Sequence, residues 1–547
     1  MFSKIQALAL FVSLALCLPA TGQGTLFDVS GAVIDSYGQV CDYVGDTDGD
    51  GFGEVMVGAW RDNHGGLNDP GSVFLYSGAD GSLISKIHGT GAGDHMGFGS
   101  SGAGDMNGDG FMDICAAADE DDVVGVGSNA GSASIISGID GSVLYTFVGE
   151  NQGDLFGWST AAVGDVNDDG RDDVVVGALL AEDTGTPNNA GSITVFSGMD
   201  GSVIHRIFGD AGGGSLGSNV GRAGDINNDG FMDLIAQQGN QVRVFSGMTG
   251  AEIWRRNASG GALKLSGGID TNCDGFDDFL IGAGGASSGA GRFQIISGLD
   301  NSVLLILFGD NAGDQMGAGI VGAGDLDSDG YGDVAVGMPG WDGVAGVSTG
   351  AVRAYSGRTL AEIFTVEGDS ATDRIGSDVG AGDIDGDGVG DVFACSISSA
   401  KAKAVTFVPD GLQPFGEGTP GCEGTLGLLG NGVPGLGNAG FELHVSSAAV
   451  GLPVLLLIAD AEDTVGSTFF GALFHVDFAP VPPAVGLVAT AGLGVTDNCG
   501  SIHSPFPIPS TPSLLGPTWV FQAVALFPVA ACGTRVATSR GLRVTLQ

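Results

Sequence analysis

The chain has 547 residues, 102 of them glycine, with 43% hydrophobic and 15% charged residues. That length exceeds one ordinary domain unless the domain is a large β structure or a repeat array, and the apolar content suffices for a core. A formal net charge of −45 argues against nucleic-acid binding, which needs clustered Lys and Arg facing phosphate.

In chain order, residues 1–22, "MFSKIQALALFVSLALCLPATG", read as a secretory signal peptide. Lys4 supplies the charged start, Ile5 to Leu18 the apolar stretch, and Ala20 and Gly22 the small residues for cleavage. Leu16 before Cys17 argues against lipidation. No other segment reaches the roughly 20 uninterrupted apolar residues of a membrane span. The mature protein is therefore expected to be secreted, extracellular or at the cell surface. It would keep Cys41, Cys115, Cys273 and Cys395, spread along the chain, and Cys422, Cys499 and Cys532 near its end. In an oxidising compartment Cys422–Cys499 is the first choice of pairing among the last three, whose three possible pairings stay open.

From residue 46 one nine-residue pattern returns seven times: D-x-[DN]-x-D-G-x-x-[DE]. Its oxygen-bearing side chains at positions one, three, five and nine are Asp46, Asp48, Asp50 and Glu54; Asp105, Asn107, Asp109 and Asp113; Asp165, Asn167, Asp169 and Asp173; and Asp225, Asn227, Asp229 and Asp233. The last three sets are Asp270, Asn272, Asp274 and Asp278; Asp325, Asp327, Asp329 and Asp333; and Asp383, Asp385, Asp387 and Asp391. The starts are separated by 59, 60, 60, 45, 55 and 58 residues, a period that signals a repeat architecture. Carboxylates so close repel one another unless a cation sits between them. All-oxygen donors around a sharp glycine turn suit a hard, flexibly held ion, so the expected cofactor is Ca²⁺, up to seven per chain. An EF-hand is excluded. Its twelfth position needs glutamate, and here it is Val57 or Ala116, within strand-like runs such as "EVMVGA" and "DVVVGA".

Each spacer adds further strands. "GSVFLYSGADGSLISKI" and "GSITVFSGMDGSVIHRI" are alternating strands around a Gly/Asp turn, and a glycine-rich strand such as "MGFGSSGAG" leads into the next loop. Four strands per period make one antiparallel blade, and seven blades close into a propeller. The seventh is short of an outer strand. "LFDVSGAVIDSYG" (26–38) aligns with "YTFVGENQGDLFG" (145–157), so residues 26–30 are expected to complete it and remove a free sheet edge.

These repeats resemble FG-GAP repeats, the seven-bladed propeller of integrin α-subunit heads and of exported bacterial proteins, over roughly residues 24–410. The naming letters are sparse: Phe156-Gly157 is followed by Gly177-Ala178-Leu179, and Gly337-Met338-Pro339 is the nearest approach to the last three. The resemblance implies calcium loops and a ligand-binding face. Integrin heads carry the loop in only some blades, whereas here all seven have it, the first with Glu54 in the final position.

Other motifs yield to this frame. "GGSLG" (213–217) has the nucleophile-elbow pattern but aligns with "GDHMG" and "GDLFG" of other blades, and "GFGSSG" (97–102) leads into a calcium loop rather than a helix. The strands expected innermost, "FGSSGAG", "GWSTAAVG", "SNVGRAG" and "GAGIVGAG", offer small residues and almost no acid, base or nucleophile. No catalytic residue and no organic cofactor site is expected.

After a linker at 411–421, residues 422–547 hold strand-like runs such as "PVLLLIAD" and "TWVFQAVAL" between Pro and Gly breaks. A C-terminal β-sandwich is expected there. It loosely resembles the closing modules of other large secreted bacterial repeat proteins. The expected fold is thus all-β, a seven-bladed β-propeller followed by the sandwich.

The expected function is a secreted calcium-binding propeller acting as an extracellular binding or adhesion module for a protein or glycan ligand. The alternatives are a structural surface or matrix component, or a polysaccharide- or phospholipid-cleaving enzyme. In a four-strand meander, calcium loops share a face with the three-to-four turns. The longer two-to-three loops lie opposite and carry Trp60, Arg61, His64 and Trp341 as expected exposed contact anchors.

Overall fold

A computed structural model describes residues 23–407 apart from 184–187, 259, 262 and 328–330, together with the backbone of strand segments beyond 411. Residues 23–407 form seven four-stranded antiparallel sheets. Blade one comprises Tyr37–Gly45, Glu54–Ala59, Ser72–Tyr76 and Leu83–His88. Blade two comprises Ser101–Gly104, Asp113–Ala118, Ser132–Ile136 and Val143–Val148. The others repeat that order, each strand pairing with the next in sequence.

The seventh sheet breaks sequence order. Its strands are Asp378–Gly382, Asp391–Ser396 and Lys401–Phe407, and the fourth is Gln23–Ser30 from the start of the chain. Phe27 lies opposite Ala404 and Val29 opposite Ala402 in an antiparallel register. The first and last described parts of the ring are thereby stitched into one sheet, as the alignment of 26–38 implied.

Second strands such as Glu54–Ala59 and Asp173–Ala178 are buried throughout. This explains their unbroken apolar runs, since both faces of an inner strand meet a neighbouring blade. The two faces feed different cores. Val55 and Val57 join Phe27, Tyr37, Phe393 and Cys395 toward blade seven, while Met56 joins Val44, Ile114 and Ala116 toward blade two. Seven such clusters occupy the seven blade-to-blade junctions. The shortest repeat spacing also has a local cause. In blade four the loop between Asp233–Gln238 and Gln241–Phe245 shrinks to Gly239-Asn240, with Gly239 at φ +57°.

Cys41, Cys115 and Cys395 are buried free thiols. The signal peptide at 1–22 and the Cys422–Cys499 pairing lie outside the described residues. Strand segments beyond 411 pair antiparallel in sheets of six, three and two strands; the expected sandwich over 422–547 depends on residues outside those described. No helix among the described residues is long and apolar enough to cross a membrane.

Candidate metal centres

Each calcium-type loop joins the first and second strands of a blade. The sixth-position glycines Gly51, Gly110, Gly170, Gly230, Gly275 and Gly388 all sit between φ +85° and +91°, a conformation that side chains with a Cβ rarely adopt. That turn wraps the chain around the first carboxylate. Asp105 Oδ1 accepts from the Gly108 and Asp109 amides and its Oδ2 from Gly110, at 2.6, 3.0 and 2.8 Å. The fifth-position Asp109 in turn accepts from Phe111 at 2.9 Å.

Among the described residues, three loops bring three carboxylates together, with one oxygen of each within 4.8 Å of the others. They use Asp46, Asp48 and Asp50 in the first loop, Asp325, Asp327 and Asp333 in the sixth, and Asp383, Asp385 and Asp391 in the seventh. Loops two to five carry asparagine at position three (Asn107, Asn167, Asn227 and Asn272), which lowers the local charge and leaves an amide oxygen as donor. Asp329 lies outside the described residues.

The ninth position has a second task that spacing did not reveal. Asp113, Asp173, Asp233, Asp278 and Asp333 are fully buried. Asp113 Oδ2 accepts from the Met106 amide at 3.0 Å and Oδ1 from Gly138 in the three-to-four turn at 3.2 Å. Asp173 takes Val166 and Gly198, Asp233 takes Ile226 and Gly247, and Asp333 takes Leu326 and Gly357 in the same way. These bonds place the three-to-four turns at the same end of each blade as the metal loops. Burial, reinforced by neighbouring carboxylates, pushes Asp113 up to about 6, Asp173, Asp233 and Asp278 up to about 7, and Asp391 up to about 8. Glu54 is also raised by burial. The donors gathered in these loops are all oxygens, three of them carboxylates from one loop in the first, sixth and seventh repeats. The donor set therefore fits a hard divalent ion. Loops also join their neighbours: the Met112 amide donates to Asp46 O and that of Asp172 to Asp105 O, both at 3.2 Å.

The opposite end carries the two-to-three loops and the blade connections, tied by the Glu120 amide to Asp94 O at 3.3 Å and that of Leu180 to Asp154 O at 3.1 Å. Here one expectation is corrected. Trp60 and Trp341 are half-buried rather than exposed, because Arg61 lies 4.1 Å over one indole and Arg353 4.4 Å over the other. Arg61 and His64 are exposed as expected. The apolar groups that project from these loops are Val124 (101% exposed), Val344 (98%) and Val347 (61%).

A cavity of about 1480 Å³ is lined by the innermost strands of all seven blades. Contrary to the expectation of almost no charged groups, it contains Asp42, Arg222 and the Lys264–Asp378 ion pair at 2.9 Å. Asp42 and Asp378 anchor backbone, accepting from Gly102 at 3.1 Å and Cys41 at 3.4 Å. Ser215 of the elbow-like "GGSLG" sits in a blade connection with its amide on Asn189 O at 3.3 Å.

The FG-GAP repeat family matches residues 156–196, from the first through the third strand of blade three. Blade three of this seven-bladed propeller therefore matches an FG-GAP repeat. It is similar to integrin alpha-8 of Gallus gallus, 29% identical over 222 residues, which is 35% of this chain and 20% of that relative. Integrin alpha-5 of Xenopus laevis is 32% identical over 200 residues, 31% of this chain and 19% of that one. Integrin alpha-PS5 of Drosophila melanogaster is 32% identical over 186 residues, 29% and 18% of the respective chains. The chain spans about a fifth of the length of these curated relatives.

Proposed function

We propose that this FG-GAP propeller is an extracellular binding or adhesion module whose ring is stabilised by calcium, and that it engages a protein or glycan through the face opposite the metal loops. The observation that carries this reading is the division of labour between the two ends of the ring. One end is filled by acidic loops locked to backbone amides. The other presents longer loops tipped by exposed Val124, Val344 and Val347 with Arg61 and His64, the mixture of apolar and cationic groups that contact surfaces use. Similarity to integrin α subunits, which are adhesion proteins and not enzymes, supports a binding role over a catalytic one.

The test is a screen of the full chain against arrayed glycans and extracellular matrix proteins in calcium, repeated with Val124→Asp combined with Val344→Asp. The reading expects a specific ligand whose binding falls at least about tenfold in the double variant, equivalent to about 1.4 kcal/mol. Binding unchanged by those substitutions contradicts the face assignment. Calcium-dependent self-association with no ligand retained supports the structural-component alternative instead.

A further inference from the structure

We propose that His95, Asp119 and Glu120 form a second kind of metal site, for a borderline transition-metal dication of the Zn²⁺ class, on the face opposite the calcium loops. The three residues come from two connections. His95 lies between the last strand of blade one and the first of blade two, and Asp119 and Glu120 follow the second strand of blade two, Asp113–Ala118. One donor atom of each lies within 4.8 Å of the others, with His95 Nδ1 3.5 Å from Glu120 Oε1.

Asp119 gives the cluster its meaning. It is only 2% exposed, and its Oδ1 has no hydrogen-bond partner. A buried carboxylate oxygen left unpaired is costly, and a cation held with His95 and Glu120 would satisfy it. Asp119 is deep while His95 and Glu120 are partly open, their side chains 18% and 39% exposed. An ion there would have protein ligands beneath it and free coordination positions toward solvent. The Trp60 indole packs edge-on against His95 at 4.6 Å and fixes the plane of the imidazole, as an outer-shell group does at a metal site.

Among the described residues the arrangement is peculiar to this junction. Leu155, Ser215, Gln315 and Arg374 take the place of His95 in other blades with the same left-handed backbone, at φ between +50° and +61°. Across from Leu155 stand Leu179 and Leu180, and across from Gln315 stand Pro339 and Gly340. Among the described residues, only the connection into blade two sets an imidazole against two carboxylates. One nitrogen with two carboxylate donors favours Zn²⁺ and its first-row neighbours over Ca²⁺, which takes oxygen alone.

The experiment titrates the full chain with Zn²⁺ by calorimetry in about 5 mM calcium, which saturates loops of the expected affinity. One Zn²⁺ per chain is expected, with binding weakened at least about tenfold in both His95→Ala and Glu120→Gln. Calcium-saturated melting curves verify that each variant is folded, and the partly exposed Glu120 supplies the milder change. His64→Ala is the control, because His64 stacks on His88 at 3.5 Å beside Asp62 on the same face and is the rival imidazole site. Absence of Zn²⁺ binding overturns the proposal. So does binding that survives both cluster variants or is abolished by His64→Ala.

Discussion

Phe27, in the strand that opens the described chain, packs its ring 6.4 Å from that of Phe393 in blade seven. The contact is the apolar half of the clasp whose polar half is the ladder between Gln23–Ser30 and Lys401–Phe407. Phe27→Ala should therefore cost about 3–5 kcal/mol, the range for emptying a buried aromatic site. Chemical denaturation in calcium measures it. Deleting residues up to 38 exposes two sheet edges and should give aggregation or loss of cooperative unfolding. A deletion variant that stays monomeric and equally stable would show that the ring does not depend on this strand.

The buried ninth carboxylate and the exposed fifth one should separate under mutation. Asp113→Ala strands the Met106 and Gly138 amides and is expected to cost about 2–4 kcal/mol with or without calcium. Asp109→Ala removes an exposed donor, so its cost should be confined to calcium-containing buffer. Melting curves of both variants in calcium and in EGTA test the distinction. Equal sensitivity to EGTA would mean that the ninth position acts only through the ion.

The calcium-free protein should lose stability as pH rises. Asp173, Asp233 and Asp278, at about 7, and Asp391, at about 8, bind protons more tightly when folded than the ordinary carboxylate value of 3.8. Their contribution is complete below that ordinary value and is lost as pH climbs through their folded values. In EGTA the melting temperature should be higher at about pH 5 than at about pH 8, and calcium should flatten or reverse the slope by favouring ionised ligands. A calcium-free melting temperature that rises across this range contradicts the assignment.

Local patterns reached the sequence reader and distant juxtapositions did not. The seven loops announce themselves because turn glycine, donors and exit strand are neighbours in sequence, and the missing outer strand follows from counting four strands per blade. The clamp made by Asp113 was hidden because ligation and amide acceptance both call for a carboxylate at the same place. His95 and Asp119 belong to different loops, and Lys264 and Asp378 to different blades, so only the closed ring brings each set together. Trp60 and Trp341 misled for a related reason: they stand in polar loops, yet Arg61 and Arg353 cover their rings.

The central claim, that calcium holds this ring together, is tested most directly by the melting temperature of the full chain in about 5 mM calcium and after EGTA, with bound calcium counted by elemental analysis. At tenfold excess over a Kd of roughly 10⁻⁴–10⁻³ M each filled loop adds about 1.4 kcal/mol, so seven could approach 10 kcal/mol. Several calcium ions per chain are expected, with a large fall in melting temperature when they are removed. A chain that binds no calcium, or melts at the same temperature without it, would show that calcium does not hold the ring together.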